Sequence, residues 1–422
     1  MSRISATPVR GMRDLLPEET RIRDELTYKI ASIYRRWGFQ RIETPALERI
    51  EFLTAGQGGE NEKLIFKVLK RGEKLDLTAA AGEDDLVDSG LRFDLTVPLT
   101  RFVASNAATL TMPFKALQIG SVWRAERPQR GRFRQFTQCD IDIIGLEAPF
   151  AEIELVLATS ECLASLGLRD FQVKINDRRL LTAIVTSSGF KEEDAGAVFI
   201  ALDKFDKVGL DGVRTELAGF DDGAVARLLG ILSGAGGAQT VGDFVRGSGI
   251  AVPQSVVGEL EEIIGRTAVA PESGGRIVFD PFLIRGMGYY TGAVFEVWHK
   301  DYPFSMAGGG RYDKMIGRWL GRDVPACGFS IGFERLVTEL AEKGMAGVEA
   351  PKRVAVLFEE GAVFAAHEQA RRFRGEGAVA TVLPRAKRMG HQLEELQKQG
   401  YGEAWLAGAE GIRELSFDAK PR

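Results

Sequence analysis

The stretch that most limits how this chain can fold is Ala116–Gly145, "ALQIGSVWRAERPQRGRFRQFTQCDIDIIG". Two β-rich runs, "ALQIGSVWRAE" and "FTQCDIDIIG", flank a turn carrying Arg124, Arg127, Arg130, Arg132 and Arg134. Pro128 and Gly131 give that turn a defined path. The pattern predicts an antiparallel hairpin, and so a sheet that is largely antiparallel. Gln138, Asp140 and Asp142 fall at period two and share one face of the return strand. Arginine dominates over lysine here, and its planar fork suits bidentate contact with phosphate oxygens. The acids allow two readings: a metal site, or a cradle for an ammonium group or a protonatable ring. The excess of arginine makes a pairing of an amino acid with ATP the more coherent one. Carboxylates would hold the amine, and guanidinium groups the phosphates.

The remaining segments extend that sheet. "RIVFDPFLIRGMGYYTGAVFEVWHK" (276–300) and "FSMAGGGRYD" (304–313) supply further strands, and "ACGFSIGFERLVTELAEKG" (326–344) reads as a strand running into a helix. A helix is expected over Pro17–Trp37, with Pro17 in its first turn, Gly38 after its end, and Ile22, Leu26, Ile30 and Ile33 on one face. "FQRIETPALE" (39–48) reads as a short strand meeting Pro45. The region from about 92 to 145 reads as β-rich throughout. Residues 172–270 read as a helical insertion, because their apolar stretches are broken by Gly and Asp. In 351–422, strand-like "RVAVLF", "VATVL" and "EAWLAG" alternate with helical stretches, which suggests a small parallel α/β domain.

Net charge is −4, from 55 Lys plus Arg against 59 Asp plus Glu, so any polyanion contact must be a local patch. Cys139, Cys162 and Cys327 lie far apart with no CxxC, which argues against a disulfide framework or thiolate zinc site and fits a reducing cytoplasm. No apolar run reaches the ~20 residues of a membrane span, and the N-terminal stretch lacks a signal-peptide core. The three histidines sit in no nucleophile motif. There is no phosphate loop of the GK[ST] type after "GGGRY". Arg285 in "IRGMGYYTG" and Arg335 in "GFSIGFERL" are set in apolar or glycine-rich sequence, where a buried guanidinium needs an anion. Asp94 and Thr96 form a polar pair in "LRFDLTVPLTRF", and Tyr289, Tyr290 and Tyr312 could wall an aromatic substrate.

Together these segments resemble the histidyl-tRNA synthetases, a class II aminoacyl-tRNA synthetase family, over nearly the whole chain. "PVRGMRDLLPEE" looks like the family's N-terminal signature and "YRRWGFQRIETPALE" like motif 1, the dimer-forming segment. "WRAERPQRGRFRQFTQCDIDIIG" resembles motif 2 and "GFSIGFERL" motif 3, with Arg335 as its arginine. "IRGMGYYTGAVFE" and "AGGGRYD" resemble the two histidine-specific signatures. "RFDLTVPLTRF" is similar to the archaeal and eukaryotic variant.

The resemblance implies an α+β class II catalytic domain in two parts, 1–171 and 271–345, split by the helical insertion 172–270. It implies an anticodon-binding-like domain over 351–422. It puts Asp94, Leu95, Thr96 and Gln138 around the substrate amino group. Asp142 and Tyr290 would read the imidazole, with Tyr289 and Tyr312 beside them. Arg124 and Arg335 would hold ATP, supported by Arg127, Arg132 and Arg134. Arg285 would bridge the reacting carboxylate and α-phosphate, making Arg285, Arg124 and Arg335 the catalytic set. ATP with Mg²⁺, histidine, tRNA and a homodimer follow as expected partners, with no resident protein metal site. Two departures stand out. Gly288 replaces the acid usual in the signature, and the C-terminal unit looks short, without the usual final strand and helix. The alternative is a non-catalytic relative acting as the regulatory subunit of ATP phosphoribosyltransferase, although such relatives usually lose the catalytic arginines. A third reading is a ligase paralogue charging something other than tRNA.

Overall fold

The computed structural model describes residues 6–55, 62–78, 80–128, 133–234, 240–268, 275–284, 289–302, 304–343 and 351–417. The chain divides into two compact units, Met1–Ala346 and Gly347–Arg422.

The first unit is built on eight strands: β1 (Gln40–Arg41), β5 (Phe114–Trp123), β6 (Gln135–Ile144), β7 (Phe171–Asp177), β8 (Arg276–Phe279), β9 (Ala293–His299), β10 (Ala307–Arg311) and β11 (Ala326–Ile331). Their order across the sheet is β1-β5-β6-β11-β10-β9-β7-β8. All neighbours are antiparallel except the outer pairs β1–β5 and β7–β8. The expected hairpin is therefore β5–β6, paired in continuous register from Phe114–Ile144 to Trp123–Gln135. Three shorter strands, β2 (Leu47–Arg49), β3 (Phe66–Leu69) and β4 (Val87–Leu91), form a separate sheet.

Strand β6 is buried on both faces from Cys139 to Ile144. Cys139, Ile141 and Ile143 join the main core with Leu155, Ala158 and Cys162 of the Phe150–Ser165 helix and Leu26 and Ile30 of the Pro17–Arg36 helix. The Pro17–Arg36 helix packs as its pattern predicts, but Arg23 also lies on its buried side at 9% exposure.

Three expectations need correction. Thr96–Asn106 is a helix, not part of a β-rich region. Pro98 falls in its first turn, where its missing N–H costs nothing. Asp94 Oδ1 accepts the Val97 N–H at 3.0 Å and Val97, Leu99 and Val103 are buried. The 39–48 strand is two fragments, β1 and β2, on either side of Pro45. Residues 172–177, placed in the helical insertion, belong with Phe171 to β7 of the main sheet, and the helices begin at Arg178. From there to Thr267, helices pack through Leu180, Val198, Leu228 and Leu260.

In the second unit, β12 (Arg353–Phe358) is flanked in parallel by β13 (Val379–Pro384) and β14 (Glu403–Gly408). The helices Val363–Gly375 and Met389–Lys398 connect them. A fourth strand, β15 (Gly411–Leu415), adds antiparallel to β14. The unit is thus mixed rather than purely parallel, with β15 as its antiparallel fourth strand.

Candidate active site

Register across the main sheet creates the site. One transverse row runs Gln118, Asp140, Ser330, Gly308, Glu296, Lys174 over β5, β6, β11, β10, β9 and β7. The next row runs Ala116, Asp142, Gly328, Gly310, Val294, Asn176. Side chains two residues apart share a face, so Gln138, Asp140 and Asp142 all point to the same side. Glycines in the middle of both rows leave a flat floor. Above it lies a cleft of about 620 Å³, whose lining includes Thr96, Arg124, Gln138, Asp140, Asp142, Tyr289, Tyr290, Tyr312 and Arg335.

Asp142 closes the deep end. Its Oδ1 accepts the Tyr312 hydroxyl at 2.6 Å, and Oδ2 is buried without a hydrogen-bond partner. Burial pushes its carboxyl up to about 7, against the lowering effect of Tyr312. Gly328 faces it across β11: a Cβ there would lie 2.0 Å from Asp142 Oδ1, so only glycine fits. Tyr289 and Tyr312 meet edge-on at 6.1 Å, and Tyr289 and Tyr290 at 4.9 Å, giving this end an aromatic wall.

Asp94 is fully buried, and Leu95 beside it is a core residue. Asp94 Oδ1 caps the Thr96–Asn106 helix, while Oδ2 is left without a partner. Burial raises its carboxyl to about 6, offset in part by the Val97 N–H and the Arg124 charge. Gln138 Oε1 is a third buried acceptor lacking a donor. Asp140 is better satisfied, accepting from Ser330 and weakly from Gln138 Nε2 at 3.4 Å. Burial and the neighbouring Asp142 hold the Asp140 carboxyl well above the usual range. Each unpaired buried acceptor costs about 1–3 kcal/mol. Three in one region mark a place suited to a ligand rich in N–H donors.

The cations occupy the other end. Arg124 is fixed by its Nε donating to Phe93 O at 3.0 Å and by its guanidinium lying 5.0 Å from the Phe136 ring centre. Arg335 is exposed at the cleft mouth rather than buried as its sequence context suggested. It donates to Ser305 O and covers Phe304 at 4.9 Å, so an aromatic face and a carbonyl support it without burial. Arg127 is exposed on the hairpin. Arg134 turns away from the cleft, with Nε donating to Glu126 O at 2.9 Å and Nη1 to Arg10 O at 3.4 Å. Arg285, Arg132 and Gly288 lie outside the described residues.

Several residues that the sequence reading did not single out also line or brace the cleft. Glu334 accepts both Arg23 nitrogens at 2.7 Å and the Thr137 N–H at 2.8 Å, tying the first helix to β6 and to the helix that carries Arg335. Burial pushes the Glu334 carboxyl up, but Arg23 and the Thr137 N–H outweigh it and hold it below its ordinary value. Glu296, oriented by Trp298 Nε1 at 2.8 Å, and Asp203 and Lys207 of the helical region also line the cleft. Period two on β9 could have flagged Glu296; nothing local marks Lys207. Among the described residues no cluster of three or more His, Cys, Asp or Glu could hold a metal ion, and no helix is long and apolar enough to cross a membrane.

Residues 11–336 match the family model described as histidyl-tRNA synthetase. The chain belongs to that family. Within the histidyl-tRNA synthetases it is 50% identical over 342 residues to the histidine–tRNA ligase of Leifsonia xyli, covering 78% of this chain and 79% of the relative. The histidine–tRNA ligase of Christiangramia forsetii is 35% identical over 431 residues, 97% of this chain and 94% of the relative. Among solved structures, the histidyl-tRNA synthetase of a Nostoc species superposes with a TM-score of 0.78 at 25% identity, covering 99% of this chain and 98% of that one. The family match spans both halves of the main sheet and the helices between them, so the class II α+β architecture and the cleft belong to one histidyl-tRNA synthetase core.

Proposed function

We propose that this protein ligates histidine to its tRNA through a histidyl-adenylate made from ATP. The observation that carries this reading is the juxtaposition of three partnerless buried acceptors, on Asp94, Gln138 and Asp142, with Arg124 on the same cleft. Histidine supplies the missing donors: its ammonium group to Asp94 and Gln138, and its imidazole N–H to Asp142 Oδ2. The Tyr312 hydroxyl holds the other Asp142 oxygen, so the carboxyl group is oriented before the ring arrives. Tyr289 and Tyr290 flank the imidazole.

No general base is required. The substrate carboxylate is ionised at neutral pH and attacks the α-phosphate of ATP, releasing pyrophosphate. This chain's work is alignment and charge neutralisation. Arg124 is presented from the β5–β6 hairpin and Arg335 from the helix that follows β11, the strand on the other side of β6, so two guanidinium groups face the phosphates from the same cleft. By resemblance to the family, Arg285 would neutralise charge on the reacting carboxylate and the α-phosphate. Mg²⁺ typically binds through substrate phosphates plus one or two carboxylates. Glu126 and Glu296 on the cleft wall fit that role, and the ion would neutralise phosphate charge. The terminal ribose hydroxyl of tRNA then takes the histidyl group.

The 351–422 unit would read the anticodon, and the protein would act in the cytoplasm as a homodimer. The test is histidine-dependent exchange of pyrophosphate into ATP, followed by charging of tRNA with histidine. Exchange and charging support the ligase. Absence of exchange favours the regulatory reading, and exchange without charging favours a paralogue with another acceptor.

A further inference from the structure

We propose that residues 10–13 form a strap that positions Phe133 of the arginine hairpin for the nucleotide, with Arg13 as its positioning residue. The proposal rests on the ATP reading of the cleft. Gly11 O accepts the Arg134 N–H at 2.8 Å, and Arg134 O in turn accepts the Arg124 N–H at 2.8 Å. The strap therefore adds a third backbone layer to the hairpin at the residue carrying the cleft guanidinium. Gly11 has φ +85°, and a Cβ there would sit 2.9 Å from the Arg134 side chain and 3.1 Å from Pro128. Only a glycine lies flat across both arms of the turn.

Arg13 does the second part. Its guanidinium covers the Phe133 ring at 4.5 Å, and Phe133 lines the cleft. Arg13 is itself held by Glu19, with Nη1 to Oε2 at 2.6 Å, and lies 3.7 Å from Glu334, the neighbour of Arg335. The strap thus touches the hairpin wall and the Glu334 carboxylate, which braces the start of the helix carrying Arg335. It adds little to the core, since Val9 is 64% exposed and Arg10 and Arg13 are exposed too. Its specific contacts go to the mouth of the cleft.

The experiment compares the unaltered protein with Arg13→Ala, Arg13→Lys, Phe133→Ala and the Arg13→Ala/Phe133→Ala pair. ATP with Mg²⁺ and histidine are titrated separately by calorimetry, and melting is followed in parallel. Removing a partly exposed cation from an aromatic face predicts ATP binding about threefold to fivefold weaker in Arg13→Ala. Histidine binding and melting should hardly change. Arg13→Lys keeps the charge over the ring and should restore much of the loss. In the Phe133→Ala background, Arg13→Ala should have no further effect. Unchanged ATP binding, equal losses for ATP and histidine, or an undiminished effect without Phe133 would overturn the strap. An unaltered protein that binds ATP but lacks histidine-dependent exchange would sink the ligase reading alone, leaving the strap to be judged on the ATP titrations. Failure to bind ATP at all would overturn both.

Discussion

Gly328→Ala is the sharpest probe of histidine recognition, because it adds one methyl group opposite one carboxylate. The new Cβ would fall 2.0 Å from Asp142 Oδ1, 3.0 Å from its Cγ and 3.3 Å from Tyr312 Cε1. Ordinary heavy-atom contacts start near 3.5 Å, so the carboxylate must swing by about 1.5 Å. That movement breaks the 2.6 Å hydrogen bond from Tyr312 and turns Oδ2 away from the cleft. A hydrogen bond to a charged group contributes about 1.5–3 kcal/mol. At about 1.4 kcal/mol per decade, histidine should bind roughly 10- to 100-fold more weakly. The phosphate end, built on Arg124 and Arg335, is untouched. The assay is histidine-dependent pyrophosphate exchange, with KM for histidine and ATP measured separately and melting recorded alongside. A rise confined to the histidine KM is expected. An unchanged histidine KM in a protein that melts normally would refute the role of Asp142, and equal rises in both KM values would point to general distortion of the sheet.

Asp142→Asn should uncouple stability from binding. The Asp142 carboxyl is raised to about 7, so the folded ligand-free protein holds a proton that the unfolded chain releases near 4. This group's contribution to folding is fully present below about pH 4, shrinks as pH rises from 4 to 7, and is gone above about 7. The variant should melt higher than the parent at pH 8, converge with it near pH 4, and bind histidine poorly; an unchanged difference across that pH range would contradict the assignment. Arg285→Ala should slow adenylate formation by about 10²–10³ with the fold intact, because it removes a cation from the developing charge; near-normal exchange would remove it from the mechanism. Sedimentation at micromolar concentration should show a dimer, and a monomer would refute the pairing expected of the motif 1-like segment.

The β5–β6 hairpin was legible because period two and the Pro–Gly turn are both local signals. So was the shared face of Gln138, Asp140 and Asp142. The Thr96–Asn106 helix was not: a short apolar run containing proline does not distinguish helix from strand, and its decisive bond, Asp94 to Val97 N–H, appears only in the fold. Arg335 misled in another way. Apolar neighbours suggested burial, whereas the side chain, on the helix after β11, is exposed and rests on Phe304. Arg134 looked equivalent to its neighbours, yet it serves the backbone of Glu126 and Arg10. The Arg23–Glu334 brace links residues 311 positions apart, and no spacing rule reaches that far. Its one trace is an arginine on the apolar face of the first helix.

The partner of β6 on its inner edge is β11, not a neighbour in the chain. During synthesis at about 5–20 residues per second, the roughly 180 residues between them take about 10 to 40 s to emerge. For that interval the β5–β6 hairpin has one edge without its final neighbour, and Asp142 lacks the Tyr312 hydroxyl. An unpaired edge of this kind is a template for pairing with other chains. The helices from Arg178 to Thr267 fill the interval with local structure that needs no distant strand. The catalytic floor therefore closes late in this unit, and a nascent chain arrested before residue 326 would carry the arginine hairpin without the strand that completes the floor.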